Sequence, residues 1–188
     1  MMEALRKEEE YYTYADYCTW NDDERWELID GFAYAMSPAP AWSHQEVSGN
    51  LFLQIANFLK GKQCKVFAAP FDVRLNAESR DDTVLQPDIV VICDRSKLLG
   101  TGCIGAPDMV VEIISPGTAR RDRSEKFMLY QRSGVREYWI VDSDTKTLQA
   151  HVLEKGRYFV TSYTEADNAP VHVLEGCTIN LADVFDER

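Results

Sequence analysis

The chain has no apolar run that approaches the ~20 residues a membrane-spanning helix requires. Its first ten residues, MMEALRKEEE, contain no apolar signal core, so we expect neither export nor a membrane partner. Five cysteines form no Cys-x-x-Cys pair, and their odd number argues against a disulfide framework. We therefore expect reduced cysteines, no zinc site and a cytoplasmic location.

Basic residues are also scarce, since 20 Lys and Arg face 31 Asp and Glu, for a net charge of −11. This balance counts against simple adhesion to nucleic acid. The charge is uneven, however: residues 1–30 carry ten acids and three bases, whereas residues 115–137 carry six bases and three acids. The basic segment is compatible with a phosphate-bearing substrate and equally with an ordinary solvated helix.

The 188 residues, 45% apolar and 27% charged, are typical of one folded domain, with residues 1–12 as a flexible arm. Periodicity and turn residues predict an α/β (α+β) fold with a mixed central sheet, flanking helices and β-hairpins. The predicted elements are a short helix at 13–20, a hairpin around Asp30-Gly31, a helix at 40–60, strands within 64–75, strands at 86–92 and 109–114, a helix at 121–132, a strand at 135–142, a hairpin at 147–163 and a strand near 171–174.

Two of the predicted strands, QPDIVVI (86–92) and MVVEII (109–114), each contain a carboxylate within an apolar run. Burying an ionised carboxylate costs several kcal/mol, of order, unless positive charge compensates it. Two such acids on neighbouring strands repel each other, and a divalent cation between them removes both penalties. The alternative is that Asp88 lies at a strand entrance and Glu112 faces solvent.

Two further polar residues lie on potentially buried faces. Strand alternation puts Glu27 on the same face as Ile29, so Glu27 is a third inward acid if that face is the core face. Taken alone, Glu27 is more simply interpreted as a surface residue. His44 lies one turn before Val47 on the apolar stripe of the 40–60 helix, where a histidine is usually a packed or capping group.

On the helix at 121–132, Asp122, Lys126 and Tyr130 are spaced by four residues and therefore share a face. One interpretation gives Lys126 a role at the acid-bearing strands. The other is that Lys126 only pairs with Asp122 across one helical turn, which is worth about 0.2–0.5 kcal/mol.

Several separated motifs together resemble a known family. In chain order they are WELIDG, MSPAPAWSHQ, QPDIVV, GAPDMVVEIISPGTARRDRSEKFMLY and SGVREYWIVD, from about Trp26 to about Tyr163. They resemble the putative restriction endonuclease family, a branch of the PD-(D/E)XK nuclease superfamily. The resemblance implies a restriction-endonuclease-like fold and metal-dependent hydrolysis of DNA phosphodiester bonds.

The resemblance also implies a catalytic centre. Its Pro-Asp motif falls on Asp88, and its second acid falls on Glu112, 24 positions later. These carboxylates and the Ile113 carbonyl are implied to hold Mg²⁺ or Mn²⁺. Ile114 stands where the superfamily usually has a lysine, and Lys126 on the following helix is the matching substitute.

Further roles follow from the same resemblance. Glu27 matches an early acid of these nucleases, His44 and Asp122 are possible accessory residues, and Arg120, Arg121 and Arg123 are implied to contact DNA phosphates. We expect DNA as substrate and a homodimer as the assembly. Two alternatives stay open: a catalytically inactive binding or assembly module of the same fold, and a hydrolase of smaller phosphate esters.

Overall fold

The computed structural model describes residues 10–20, 24–36, 41–114 and 119–186. The strands are β1 (Trp26–Ile29), β2 (Phe32–Ala35), β3 (Lys65–Ala68), β4 (Asp72–Arg74), β5 (Val84–Leu85), β6 (Ile89–Ile92), β7 (Leu98–Leu99), β8 (Gly102–Ile104), β9 (Met109–Ile114), β10 (Glu137–Asp142), β11 (Thr147–Glu154), β12 (Arg157–Thr164), β13 (Asn168–Pro170) and β14 (Thr178–Asn180). The helices are α1 (Tyr14–Tyr17), α2 (Trp42–Leu59), α3 (Ala119–Arg121), α4 (Phe127–Ser133) and α5 (Leu181–Val184). A 3₁₀ turn covers Arg95–Lys97, and a π-helical segment, Asp122–Lys126, joins α3 to α4.

The strands form two six-stranded sheets and one β-ribbon. The first sheet has the order β2-β1-β5-β4-β8-β7, the second has the order β12-β11-β10-β9-β6-β3, and β13 pairs with β14. Each large sheet is mixed, with β4 parallel to β8 in the first and β9 parallel to β10 in the second. The prediction of a mixed sheet with flanking helices and hairpins is therefore confirmed.

The second sheet is covered on both faces, which explains why β9 is apolar almost throughout. Met109, Val111 and Ile113 pack in the cluster that contains α2 and the C-terminal elements. Val110 and Ile114 pack in the cluster that contains the first sheet and α4. Because successive side chains of a strand alternate between faces, Glu112 falls on the α4 face.

Local sequence explains the elements that were predicted best. Asp30 and Gly31 both have positive φ, 50° and 84°, as a tight hairpin turn between β1 and β2 requires. In α2 the side chains of Val47, Leu51 and Ile55 recur every four residues and are buried. None of the helices in the described stretches combines the length and the apolar character needed to cross a membrane.

Two sequence-based expectations were wrong. Cys64 and Cys93 form a disulfide, whereas Cys18, Cys103 and Cys177 are free thiols. The antiparallel register of β3 and β6 pairs Lys65 with Ile92, which places the two flanking cysteines opposite each other. An odd number of cysteines does not exclude such a pair, because the pairing depends on strand register.

The predicted strand near 171–174 was also wrong. That stretch belongs to the turn between β13 and β14, and its apolar residues Val171 and Leu174 are buried from turn positions. Of the predicted flexible arm, residues 1–9 lie outside the described part of the chain. The Tyr12 N–H donates a hydrogen bond to the Gly31 carbonyl at 2.8 Å.

Candidate active site

Strand register places the two predicted acids opposite each other. In the antiparallel pair of β6 and β9, Ile89 lies opposite Val111, so Asp88 and Glu112 occupy the next facing positions. The β6 strand begins after Asp88, and the Asp88 carboxylate accepts a hydrogen bond from the Ile113 N–H at 2.7 Å. The side chain of Asp88 thus joins the start of β6 to β9 beyond the last paired residues, Ile89 and Val111.

Glu112 is 5% exposed and meets two side chains from the helical segment that follows β9. The Lys126 Nζ lies 2.9 Å from Glu112 Oε1, and the Tyr130 hydroxyl donates to the same oxygen at 2.8 Å. Lys126 ends the π-helical segment, and Tyr130 lies in the first turn of α4. A helix-borne lysine therefore reaches the strand acid, although Ile114 occupies the position two residues after that acid.

Glu27 also belongs to this cluster. It is 2% exposed, and its Oε1 lies 2.8 Å from Lys126 Nζ. The interpretation of Glu27 as a surface residue was wrong, because the α4 side of the molecule covers the face of β1 that carries it. With Asp122 Oδ1 at 3.4 Å, the single ammonium of Lys126 is shared among three buried carboxylates.

Burial and like charge control the ionisation of this cluster. Burial raises the pKa of the Glu112 carboxyl well above its ordinary value, opposed only in part by Lys126. The neighbouring acids Asp122, Glu27 and Asp88 raise the pKa of Glu112 further. Burial lowers the pKa of the Lys126 ammonium, but the surrounding carboxylates raise it by more, so the ammonium stays charged. The cluster is rich in negative charge and would gain from additional positive charge.

His44 approaches the same strand ends from α2, which packs on the other face of the second sheet from α4. Its Nε2 lies 2.9 Å from the Ile113 carbonyl oxygen and 3.4 Å from Asp88 Oδ2. Burial lowers the pKa of the His44 imidazole, but Asp88, the Ile113 carbonyl and Asp122 together raise it by more, leaving the pKa above its ordinary value. The structure thus brings His44 to Asp88 and Ile113, while Lys126 lies with Glu112 and Glu27.

Of the predicted DNA-contacting arginines, the two whose side chains are described, Arg121 and Arg123, have different neighbours. The Arg121 Nη1 lies 3.9 Å from Glu27 Oε2, and its guanidinium lies 4.6 Å from the centre of the Tyr34 ring. The half-exposed Arg123 pairs with Asp142 at 3.3 Å on a different side of the helix. The side chain of Arg120 lies outside the described part of the chain. Arg121 therefore borders the acidic cluster.

The donor groups suit a divalent cation in chemistry but are not assembled as a metal cage. In the described parts of the chain, no three His, Cys, Asp or Glu side chains stand close enough to form a metal cluster. Carboxylate and carbonyl oxygens are nevertheless the ligands that Mg²⁺ and Mn²⁺ prefer, and Asp88, Glu112 and Ile113 supply them at adjacent strand positions. In donor chemistry, the residues therefore fit the implied cation.

Tyr130 is the member of this site to which the sequence assigned no role. Its spacing of four from Lys126 did place both on one face, and both side chains contact Glu112 Oε1. Tyr138 supports the site from β10 by donating from its hydroxyl to the Asp122 carbonyl at 3.0 Å. No local signal distinguished these two tyrosines from ordinary core aromatics.

A mixed sheet with acids at opposed strand positions and a helix-borne lysine defines a nuclease-like α/β fold. Residues 9–182 match the Uma2 family, described as putative restriction endonucleases, and the chain belongs to this family. An uncharacterized protein from Synechocystis sp. is 28% identical over 175 residues, which are 91% of this chain and 87% of that protein. The crystal structure of a putative DUF820 nuclease from Anabaena variabilis superposes with a TM-score of 0.74 at 18% identity, covering 93% of this chain and 97% of the other. This structural likeness shows the fold alone.

Proposed function

We propose that the protein is a metal-dependent endonuclease that hydrolyses DNA phosphodiester bonds. The observation that carries the proposal is the contact of Lys126 Nζ with Glu112 Oε1 at 2.9 Å inside a buried cluster of acids. It supplies an ammonium beside the second acid of the family motif, where the sequence itself has Ile114. Membership in the putative restriction endonuclease family supports a polynucleotide as the substrate.

Asp88, Glu112 and the Ile113 carbonyl would hold one Mg²⁺ or Mn²⁺ ion. Such a cation would lower the pKa of a bound water molecule and neutralise the negative charge that develops on the phosphate. The buried setting supports this assignment, because charge interactions are stronger where water is excluded. Burial raises the pKa of Glu112, and the neighbouring acids raise it further, so a cation bound beside this carboxylate would favour its ionised form.

Lys126 would donate a hydrogen bond to the attacking water or to a phosphate oxygen as its negative charge grows. Glu27 and Asp122 would hold the Lys126 ammonium in position, since both carboxylates contact it. Arg121 borders the cluster and would bind a phosphate next to the cleaved one. Arg123 and Arg120 would contact phosphates farther along the strand.

The test is nicking of supercoiled plasmid DNA with Mg²⁺ or Mn²⁺, comparing the wild type with Glu112→Ala. We expect the nicking rate of the variant to fall by more than about 100-fold. Loss of a residue that only hydrogen-bonds to a metal ligand typically costs about 10–100-fold, and loss of the ligand itself should cost more. Glu154→Ala, which removes an exposed acid at the end of β11, should nick like the wild type. Wild-type nicking should weaken steeply with salt if arginines contact phosphates.

Two other outcomes would replace the proposal. If calorimetry finds no cation binding that Asp88→Ala alters, the protein is a non-catalytic module of the nuclease fold. If a cation binds but plasmid stays intact while a small phosphodiester is hydrolysed, the substrate is a smaller phosphate ester. A nicking rate that does not depend on salt would argue against Arg120, Arg121 and Arg123 as DNA contacts.

A further inference from the structure

The imidazole of His44 lies against two of the groups assigned to the cation. His44 is in the first turn of α2, and that turn ends beside the start of β6. Its Nε2 lies 2.9 Å from the Ile113 carbonyl oxygen and 3.4 Å from Asp88 Oδ2. The side chains of His44 and Asp88 are 14% and 22% exposed, so this end of the site is more open than the Glu112 end.

The shorter of these separations matches that between neighbouring ligands of one octahedral ion, and the longer one slightly exceeds it. With bonds of about 2.1 Å, two ligand atoms at right angles lie about 3.0 Å apart. A single hydrogen bond from Nε2 to the Ile113 carbonyl explains the 2.9 Å contact but leaves the Asp88 contact at 3.4 Å, which is long for a hydrogen bond. Three potential donor atoms from three separate elements thus converge on one small volume.

The other ring nitrogen does not fix the protonation of the imidazole. Nδ1 is buried and, among the groups that the structure describes, has no hydrogen-bond partner. Both oxygens near Nε2, the Ile113 carbonyl and the Asp88 carboxylate, are hydrogen-bond acceptors, so without a cation Nε2 carries the proton and donates it. Because no described group bonds Nδ1, the proton can move to Nδ1 when a cation binds, and this leaves the Nε2 lone pair for the metal.

We propose that His44 binds the cation through Nε2 together with Asp88 and Ile113, and that this nitrogen ligand makes the site prefer Mn²⁺ over Mg²⁺. The inference depends on the proposed function, because it adds a ligand to the same cation. Mg²⁺ binds through oxygen ligands and keeps much of its water, whereas transition ions accept imidazole nitrogen readily. An all-oxygen site would discriminate less between the two ions.

The test measures binding and not turnover. The pulsed electron paramagnetic resonance spectrum of bound Mn²⁺ shows whether a nitrogen is coupled to the metal, and calorimetry gives the Kd for Mn²⁺ and for Mg²⁺. We expect nitrogen coupling in the wild type, its loss in His44→Gln, and its retention in His172→Gln, which alters an exposed histidine. His44→Gln should weaken Mn²⁺ binding by about 10-fold or more and Mg²⁺ binding by less.

The possible outcomes of this experiment distinguish a failure of this inference from a failure of the proposed function. If Asp88→Ala removes Mn²⁺ binding while the wild-type spectrum lacks nitrogen coupling, His44 is not a ligand and the cation site stands. Nitrogen coupling that persists in His44→Gln would also overturn the inference. If Mn²⁺ fails to bind the wild type, or binds without regard to Asp88, both proposals fall. The wild-type spectrum decides the question even if circular dichroism shows that His44→Gln does not fold.

Discussion

Two buried glutamates on adjacent parallel strands have opposite kinds of partner. Glu112 of β9 contacts the Lys126 ammonium and the Tyr130 hydroxyl and lies near further acids. Glu137 of β10 accepts one hydrogen bond on each oxygen, from the Trp139 indole at 2.7 Å and from the Val173 N–H at 2.9 Å. Burial raises the pKa of both carboxyls; the Lys126 ammonium offsets part of the rise for Glu112, and the N–H donors of Val173, Trp139 and His172 offset part of it for Glu137.

The difference shows that burial of an acid does not by itself mark a functional site. Glu137 is satisfied by neutral donors and fastens the 171–177 turn to β10, which is a structural task. Glu112 lies in a cluster where one ammonium contacts three carboxylates. The negative charge of this cluster is therefore not fully compensated and remains able to attract a cation. The nature of the partners therefore separates the two cases, and substitutions on each side can test the separation.

Lys126→Met should have the largest effect on stability. Removing the ammonium leaves Glu27, Glu112 and Asp122 buried beside each other, and breaking a buried ion pair in this way costs about 3–5 kcal/mol. Urea denaturation measures the loss in the free energy of unfolding. Adding Glu112→Gln to the lysine variant should recover part of the loss, because one stranded carboxylate disappears. A loss below about 1 kcal/mol would mean that the cluster is already neutralised in another way.

Tyr130→Phe should cost about 1.5–3 kcal/mol, because its hydroxyl donates to a carboxylate in a buried site. Tyr158→Phe is the matched control, since the Tyr158 hydroxyl donates to the neutral Val135 carbonyl at the same distance of 2.8 Å. That control should lose about 0.5–1.5 kcal/mol and keep its nicking rate. Equal losses in the two variants would remove the distinction between the acidic cluster and the ordinary core.

Glu137→Gln should lower stability by about 1–3 kcal/mol without altering cation binding or nicking. The amide keeps one acceptor oxygen but turns an N–H toward a buried donor, so either Trp139 or Val173 loses its partner. Thermal denaturation and plasmid nicking measure the two quantities side by side. Reduced cation affinity in this variant would show that the two glutamates are not functionally separate.

The elements that local sequence dictates were predicted well. The Asp30-Gly31 turn, the period of α2 and the apolar runs of β6 and β9 depend on residues close together in the chain. The opposed positions of Asp88 and Glu112 follow from two adjacent apolar strands, and the approach of Lys126 to Glu112 was expected from the family resemblance, because Ile114 occupies the usual lysine position.

What the sequence did not predict depends on contacts between distant elements. The Cys64–Cys93 disulfide depends on the register of β3 with β6, which neither cysteine reveals. The burial of Glu27 depends on which face of β1 the rest of the molecule covers. The 171–177 turn resembles a strand in its apolar letters, but its residues are buried from turn positions and its Val173 N–H bonds to Glu137.

The smallest predicted effect extends the comparison to two histidines. His151 packs among Phe127, Tyr138 and Tyr158, and burial lowers the pKa of its imidazole. The unfolded chain takes up a proton near the ordinary histidine pKa of about 6.5, whereas the folded state resists it until a lower pH. Folding stability from His151 is therefore complete above about pH 6.5 and falls as the pH drops toward the folded pKa.

His151→Phe should flatten the stability profile between pH 7.5 and 5.5 relative to the wild type, measured by urea denaturation at each pH. His44 acts with the opposite sign, because its pKa is raised in the folded state and its protonation stabilises folding as the pH falls. As the pH falls, the free energy of unfolding should therefore decrease more steeply in His44→Gln than in the wild type, and less steeply in His151→Phe. Shifts of the same sign in both variants would show that the two imidazoles do not differ in environment as the structure describes.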